Sequence, residues 1–573
     1  MRNIKIIRNT KFFKNIKTIT NMRAALVAAA VLAGVALAGG GLAGCKGQGA
    51  SGERQTAGRG GGGNAQVLTG AAGADGSEKG QKSPAPGERH VNAAFFWIAA
   101  DLDPAVDYHG WVTSRLGVGE CLLKLNDQLE LEGCIADSWE NVDDTTWRFH
   151  IRDEVFFSNG ARVTAESCKA SIERAVSMND RGAEYLKIAS MEADGQTLTV
   201  KTTEPNAALP GSMAEPVFII VDTSQSEEVM RQSPVCTGPY VAASFASEQR
   251  VELVKNDSYW GGEPGLDTVT VTQIADADAR AMSVQSGEID ITNTIDNTSV
   301  TLFTDNPDYH VSSIISPRVN VAYMNHAQTS PLHDIQLRRA VSWAVDREAY
   351  AGLIGGSGAH GLYSDAAPFG NETVTAFSYD KAKAEDILEE AGYVDTDGDG
   401  YRENPDGSPL ALRYLQAADH GSADSAILAA AVQSDLKAVG IRVEILAVEN
   451  LSEYQSQGNF DFYTGNDNSA PTGDPQVWLE TMYTGLGRSG KKNLTSFQND
   501  EIDRIVAEMN RTFDTEKRYE LAAEASQVLN DEAANLFLTN SYLNMVSSSR
   551  VKNAVQPAVD YYFITKDITV EQE

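Results

Sequence analysis

The stretch that most constrains this chain lies in its middle, from Cys236 to Ile291. Thr237-Gly238-Pro239-Tyr240 reads as a turn running into a strand, since Gly relaxes the backbone and Pro presets the next φ. Val251-Glu252-Leu253-Val254-Lys255 alternates as a strand, and Tyr259-Trp260-Gly261-Gly262 makes an aromatic turn before another. A helix then runs through Gln285 and stops at a Gly C-cap, Gly287. The block reads as scaffold: it builds shape and carries no catalyst.

The front of the chain is of another kind. Residues 1–44 hold seven Lys or Arg and no acid, although the formal charge of all 573 residues is −32. Such an acidic remainder repels nucleic acid and anionic lipid, which excludes nucleic-acid partners. Residues 24–44 are uncharged and apolar, broken by Gly39-Gly40-Gly41, and end at Leu42-Ala43-Gly44-Cys45. This reads as a signal peptide (residues 1–44), with Met22 as a second possible start. The last four residues are similar to a bacterial lipobox, which makes Cys45 the lipidation site. Residues 45–90 are poor in large apolar side chains and form a tether with a reach of roughly 35–40 Å.

From Val91 the composition is that of a folded α/β protein. Ala94–Ile98 is strand-like, Cys121–Leu131 alternates as a hairpin, and Thr164-Ala165-Glu166 caps a helix to about Ser177. Val321–Asn325 reads as a strand, and Leu337–Arg347, Lys381–Ala391, Asp500–Met509 and Arg518–Leu529 as amphipathic helices. Cys121 and Cys134 flank a turn at Asn126-Asp127-Gln128 and have two readings: a disulfide, or two of four buried thiols with Cys168 and Cys236.

The central block, the Ile135–Trp139, Phe157–Gly160 and Thr164–Glu166 elements and the Leu337–Arg347 helix come in the order found in the family 5 extracellular solute-binding proteins. The chain resembles that family from residue 91 to about 570, departing from it at Cys134 and Ile135. The resemblance implies a two-lobed, periplasmic-binding-protein-like α/β fold (class II type, cluster C) with an additional small domain and a hinged cleft. Lobe I is expected at about 91–140, 225–320 and 545–573, the extra domain at 141–224, and lobe II at 321–544. It further implies the binding component of an importer of the ATP-binding-cassette type: a monomer, anchored by lipid on the outer face of the cytoplasmic membrane, handing cargo to a permease.

Peptide binders of the family hold the cargo ammonium with an Asp before an Asp-Pro pair, which maps to Asp467 ahead of Asp474-Pro475, given an insertion. By the same alignment Asn466, Trp478, Asn325, Tyr108, Trp111 and Tyr185 line the cleft. Di- or oligopeptides are therefore the expected cargo. Nickel, another metal chelate or another small solute is the alternative within the family, although the Arg and Trp of the nickel binders have no clear counterpart in Glu215–Phe218 or Ser469–Pro471. Alternatives of other classes are a cell-surface hydrolase and a peptide sensor.

Short motifs add little. Asp395-x-Asp397-x-Asp399-Gly400, with Asp406 at the twelfth position, carries the opening of a calcium loop, and an acidic turn is the competing reading. Gly356–Gly361 spells GxGxxG after a helix instead of a strand, which excludes a dinucleotide fingerprint. The eight histidines include no HExxH, and no cofactor is expected.

Overall fold

The computed structural model describes residues 87–418, 423–484 and 493–571; the signal peptide, Cys45 and nearly all of the tether lie outside them. Strands β1 (His90–Phe95), β2 (Leu123–Leu125) and β3 (Leu131–Gly133) come first. A four-stranded antiparallel sheet follows, from β4 (Ala136–Asp143), β5 (Thr146–Ile151), β6 (Ile188–Asp194) and β7 (Thr197–Thr202), ordered β4-β5-β7-β6. The remaining large-sheet strands are β8 (Tyr240–Ala246), β9 (Arg250–Lys255), β10 (Thr268–Gln273), β11 (Ile291–Asn293) and β12 (Tyr309–Met324). After them come β13 (Gly356–Gly358), β14 (Ala411–Ala417), β15 (Arg442–Val448), β16 (Phe462–Asn468) and β17 (Asn535–Ser548). With β1 they build an eleven-stranded mixed sheet, β15-β14-β16-β12-β17-β11-β1-β10-β9-β8, with β13 beside β17.

Two long strands join the halves of this sheet. β17 pairs β11 at one end, while β12 pairs β17 along its length and β16 through Arg318–Met324. Their register shifts between Ile315 and Val319, where Pro317 has no N–H to give a ladder. An irregular pair of crossing strands is a natural hinge. One core, around Val91, Phe95, Val251 and Val271, lies on the first half of the sheet, and a second, around Val341, Tyr414 and Leu436, on the other. A third spans the four-stranded sheet and the segments facing it, from Phe149 to Tyr323 and Leu479. The chain thus adopts the two-lobed α/β architecture expected, with the small sheet as an additional layer.

The central block is tied to one side chain the sequence reading passed over. Glu120 accepts hydrogen bonds from Thr237 Oγ1 (2.9 Å), Tyr259 Oη (2.8 Å) and Trp260 Nε1 (2.9 Å). Burial pushes its carboxyl above the usual range, against the pull of those donors. Gly238 has to be Gly because a Cβ there would lie 2.4 Å from the Gly117 carbonyl oxygen. A buried acceptor and a close backbone crossing therefore hold the turn.

Several local expectations shift. The first strand spans His90–Phe95, not Ala94–Ile98, because its outer half pairs with Thr268–Thr270. The helix expected over Leu337–Arg347 covers Ile335–Ala344; Val345 turns extended, and Asp346 caps a new helix, Arg347–Ile354, through the Ala349 N–H. Cys121, Cys134, Cys168 and Cys236 are all free and buried, so the disulfide reading gives way to the buried-thiol one. Burial raises the thiol pKa of Cys121 and Cys134 well above the ordinary value. Gly356–Gly358 is a short strand on β17, with no place in a nucleotide loop.

Candidate functional site

Asp467 sits near the end of β16, paired with Val319 of the hinge strand. Side chains alternate along a strand, so Tyr463, Gly465 and Asp467 share one face. Tyr323, opposite Tyr463, stacks on it at 4.9 Å and reaches along that face to donate from Oη to Asp467 Oδ2 at 2.7 Å. Gly465 leaves the room: a Cβ there would come within 2.5 Å of Asp467 Oδ2 and 2.6 Å of Tyr323 Cε2. Burial first, and the charge of Asp467 next, push the Tyr323 phenol well up, so it remains a donor.

The same pleat separates Asn466 from Asp467. Asn466 Nδ2 donates to Asn320 Oδ1 (2.6 Å) and Ser541 Oγ (3.2 Å), on the face that also carries Thr464 bonded to Tyr414. Neighbouring strand residues cannot share a face, and here only Asp467 stands with Tyr323.

From β16 a chain of charges leads toward the first lobe. Arg318 donates from Nη1 to the Asn466 carbonyl (3.0 Å) and from Nη2 to Asp560 Oδ2 (3.2 Å). Arg115 reaches the same Asp560 Oδ2 from Nη2 (2.8 Å) and the Asp560 carbonyl from Nε (2.6 Å). Burial alone would raise the Asp560 pKa; the two guanidinium groups outweigh it and hold the carboxyl below its usual range. Arg115 and Trp111 lie one turn apart on the helix His109–Arg115 and so share a side. The Trp111 ring packs on Tyr561 at 5.1 Å, and its Nε1 donates to Glu215 Oε1 at 2.9 Å.

Glu215 in turn pairs with Arg181 at 3.3 Å. Arg181 and Tyr185 stand four apart on the short helix Asp180–Leu186, which brings both to one side. The Arg181 guanidinium lies 4.0 Å from the centroid of the Tyr108 ring, and Tyr108 meets Trp111 edge-on at 5.6 Å. Burial works against the Arg181 charge, but Glu215 and the tyrosines beside it raise its pKa above the ordinary value. Its buried Nε finds no hydrogen-bond acceptor among the described residues.

The structure therefore gathers Tyr108, Trp111 and Tyr185 around Arg181 and Glu215, and connects that group through Tyr561, Asp560 and Arg318 to the strand bearing Asp467. Other expected residues fall elsewhere. Asn325 is buried, with Nδ2 on the Gly458 and Phe460 carbonyls and Oδ1 on the Ala327 N–H, a loop-holding role. Trp478 is half-buried against the third core, on the helix Gln476–Tyr483. Asp474 of the Asp-Pro pair is held by Arg518 through Nε (2.9 Å) and Nη2 (2.6 Å), which fixes the start of that helix.

Asp395, Asp397 and Asp399 bring ligand atoms within 4.8 Å of one another on an exposed turn. Asp406 does not join them: its Oδ1 accepts from Ser408 N (2.9 Å) and Oγ (2.6 Å). The donors so fit only the opening half of a calcium loop.

Arg115, Arg181, Glu215, Arg318 and Asp560 were missed by sequence reasoning. Arg318 alone carried a signal, as the one Lys or Arg within β12.

A two-lobed mixed α/β fold joined through the long strands of one sheet is the architecture of a solute-binding protein. Residues 130–490 match the bacterial extracellular solute-binding proteins, family 5 Middle, and the chain belongs to that family. The nickel-binding protein NikA of Staphylococcus aureus is 26% identical over 470 residues, covering 81% of this chain and 91% of its own. The probable D,D-dipeptide-binding periplasmic protein DdpA of Escherichia coli is 25% identical over 488 residues, covering 81% and 90%. Among solved structures, the nickel ABC transporter protein of Bacillus halodurans superposes with a TM-score of 0.69 at 30% identity, covering 84% of this chain and all of that one. The chain is thus the solute-binding component of an ABC importer, a role that implies a ligand and a permease.

Proposed function

We propose that the protein captures short peptides outside the membrane and delivers them to its permease, anchored through lipid on Cys45. The observation that carries this reading is Asp467, a half-buried carboxylate oriented by Tyr323 at 2.7 Å beside the hinge. A carboxylate so held is suited to a cargo ammonium, and a charge-assisted bond orients a ligand whose side chains vary. The D,D-dipeptide binder among the relatives supports it. Lobes close on cargo because it makes contacts in the closed form that the open form lacks. Isothermal titration with trialanine tests the reading: Asp467→Ala should weaken binding more than tenfold, or ~1.4 kcal/mol. Equal affinity in the variant removes Asp467 from the site, and no binding to wild type removes the peptide reading.

The second reading is a nickel chelate. It is favoured by Arg181, a guanidinium beside Tyr108 and Tyr185 that the Glu215–Phe218 segment alone does not supply, and by the nickel-binding names among the relatives. Titration with nickel and two equivalents of L-histidine, against nickel alone, decides it.

A further inference from the structure

The paired guanidinium groups of Arg115 and Arg318 already hold an anion, and that anion belongs to the chain. Two guanidinium groups converging on one point are what a site for a cargo carboxylate needs. Here Asp560 Oδ2 occupies that point, 2.8 Å from Arg115 Nη2 and 3.2 Å from Arg318 Nη2. Arg115 is almost sealed, its side chain 3% exposed, while Asp560 (11%) and Arg318 (20%) retain an open edge. Arg318 also grips the carbonyl of Asn466, the residue next to Asp467. Arg318 also feels the charge of Asp467, so the two guanidinium groups and the two carboxylates balance in formal charge.

We propose that Asp560 is a specificity-determining residue: a built-in carboxylate that occupies the Arg115–Arg318 pair, so that this end of the cleft accepts a cargo cation and rejects a cargo carboxylate. A cargo ammonium at Asp467 leaves Asp560 undisturbed. A cargo carboxylate in the same place would meet a filled guanidinium pair and two like charges. Several features keep Asp560 in place. Its own carbonyl is held by Arg115, and Tyr561, the next residue, packs on Trp111 and donates to the Pro471 carbonyl at 2.8 Å. Its arginine neighbours outweigh burial and hold its carboxyl below the usual range. A purely structural ion pair would share this geometry but would not govern which cargo enters.

The inference rests on Asp467 facing the cargo, and its test separates the two. N-acetyl-trialanine, an anion lacking an ammonium, is titrated into the full-length wild type and Asp560→Asn, with circular dichroism confirming the fold. Asp560→Asn should bind it at least tenfold more tightly than wild type, and adding Arg318→Gln should erase the gain. A folded Asp560→Asn with no gain, or a gain that survives Arg318→Gln, overturns the proposal. Where Asp560→Asn does not fold, Arg318→Gln alone decides. It retains a donor for the Asn466 carbonyl and should raise affinity for the cationic trialanine amide at least threefold; unchanged or lower affinity overturns the proposal. Wild type ignoring trialanine, while Asp560→Asn gains the acetylated peptide, sinks the peptide reading and leaves Asp560 in its role.

Discussion

The Tyr323 hydroxyl and the Asp467 carboxylate, from neighbouring strands of the hinge sheet, meet at 2.7 Å on the face opposite Asn466. The bond fixes the orientation of the carboxylate. Tyr323→Phe removes the donor and leaves the ring stacked on Tyr463, so the fold should persist. Trialanine affinity should fall about fivefold, or ~1 kcal/mol, the usual worth of one hydrogen bond. Titration of the variant beside Asp467→Ala measures it, and a Tyr323→Phe loss as large as that of Asp467→Ala would contradict the assignment of roles.

Gly465 offers an independent probe of that geometry. Its missing Cβ is the space in which the Tyr323 ring passes Asp467. Gly465→Ala forces one of them aside on a packed sheet, at a cost of about 2 kcal/mol. Urea denaturation should show that loss with unchanged far-ultraviolet circular dichroism, and cargo affinity should fall with it. Full stability in the variant would show that the ring and the carboxylate need no such clearance.

Much of this fold is legible in the sequence, for a physical reason. The helix Asp500–Met509 has its apolar residues on one stripe and an Asn cap, and it lies where its pattern puts it. The central block was legible as turns and strands, but Glu120 beneath it was not, because nothing local distinguishes a buried Glu from a solvated one. β12 was read as five residues and spans sixteen, since Pro317 and the polar Ser312–Ser313 break its alternation at the hinge. The site shows the same division. Tyr108, Trp111 and Tyr185 meet through helical spacing and a shared Arg181, whereas Asp560 comes from 445 residues beyond Arg115, a pairing only the folded chain reveals. The family alignment places Asn466 and Asp467 together in the cleft, and the pleat parts them.

Two aspartates, one held by a buried arginine and one exposed on a turn, should differ in their effect on stability. Asp474 takes three close bonds from a buried Arg518, so Asp474→Asn leaves a guanidinium without its counter-charge and should cost about 3 kcal/mol. Asp397 lies on an exposed turn, and Asp397→Asn should stay within about 0.5 kcal/mol of wild type. Denaturation midpoints of the two variants provide the comparison, and equal effects would contradict it. Neither should respond to added calcium, since Asp406 is turned to Ser408.

His326 gives the protein an acid-sensitive element away from the cleft. It follows β12, its Nε2–H donates to the Ala534 carbonyl at 2.8 Å, and its ring meets Phe497 edge-on. Burial, and then the nearby positive charge of Arg338, lower its pKa to about 3. In the unfolded chain an imidazole titrates near ~6.5, so between these values the unfolded state holds the extra proton. The stabilisation is therefore complete above ~6.5 and drains away as pH falls toward the folded value, at up to ~1.4 kcal/mol per pH unit from this residue. His326→Gln retains a donor for Ala534 but cannot take up the proton. Its stability at neutral pH should lie within about 1–2 kcal/mol of wild type, while its acid limb should be shallower between pH ~6 and ~4 by up to that one-proton slope. Urea titrations of both proteins across that range test this, and parallel acid limbs would mean that His326 does not carry the proton.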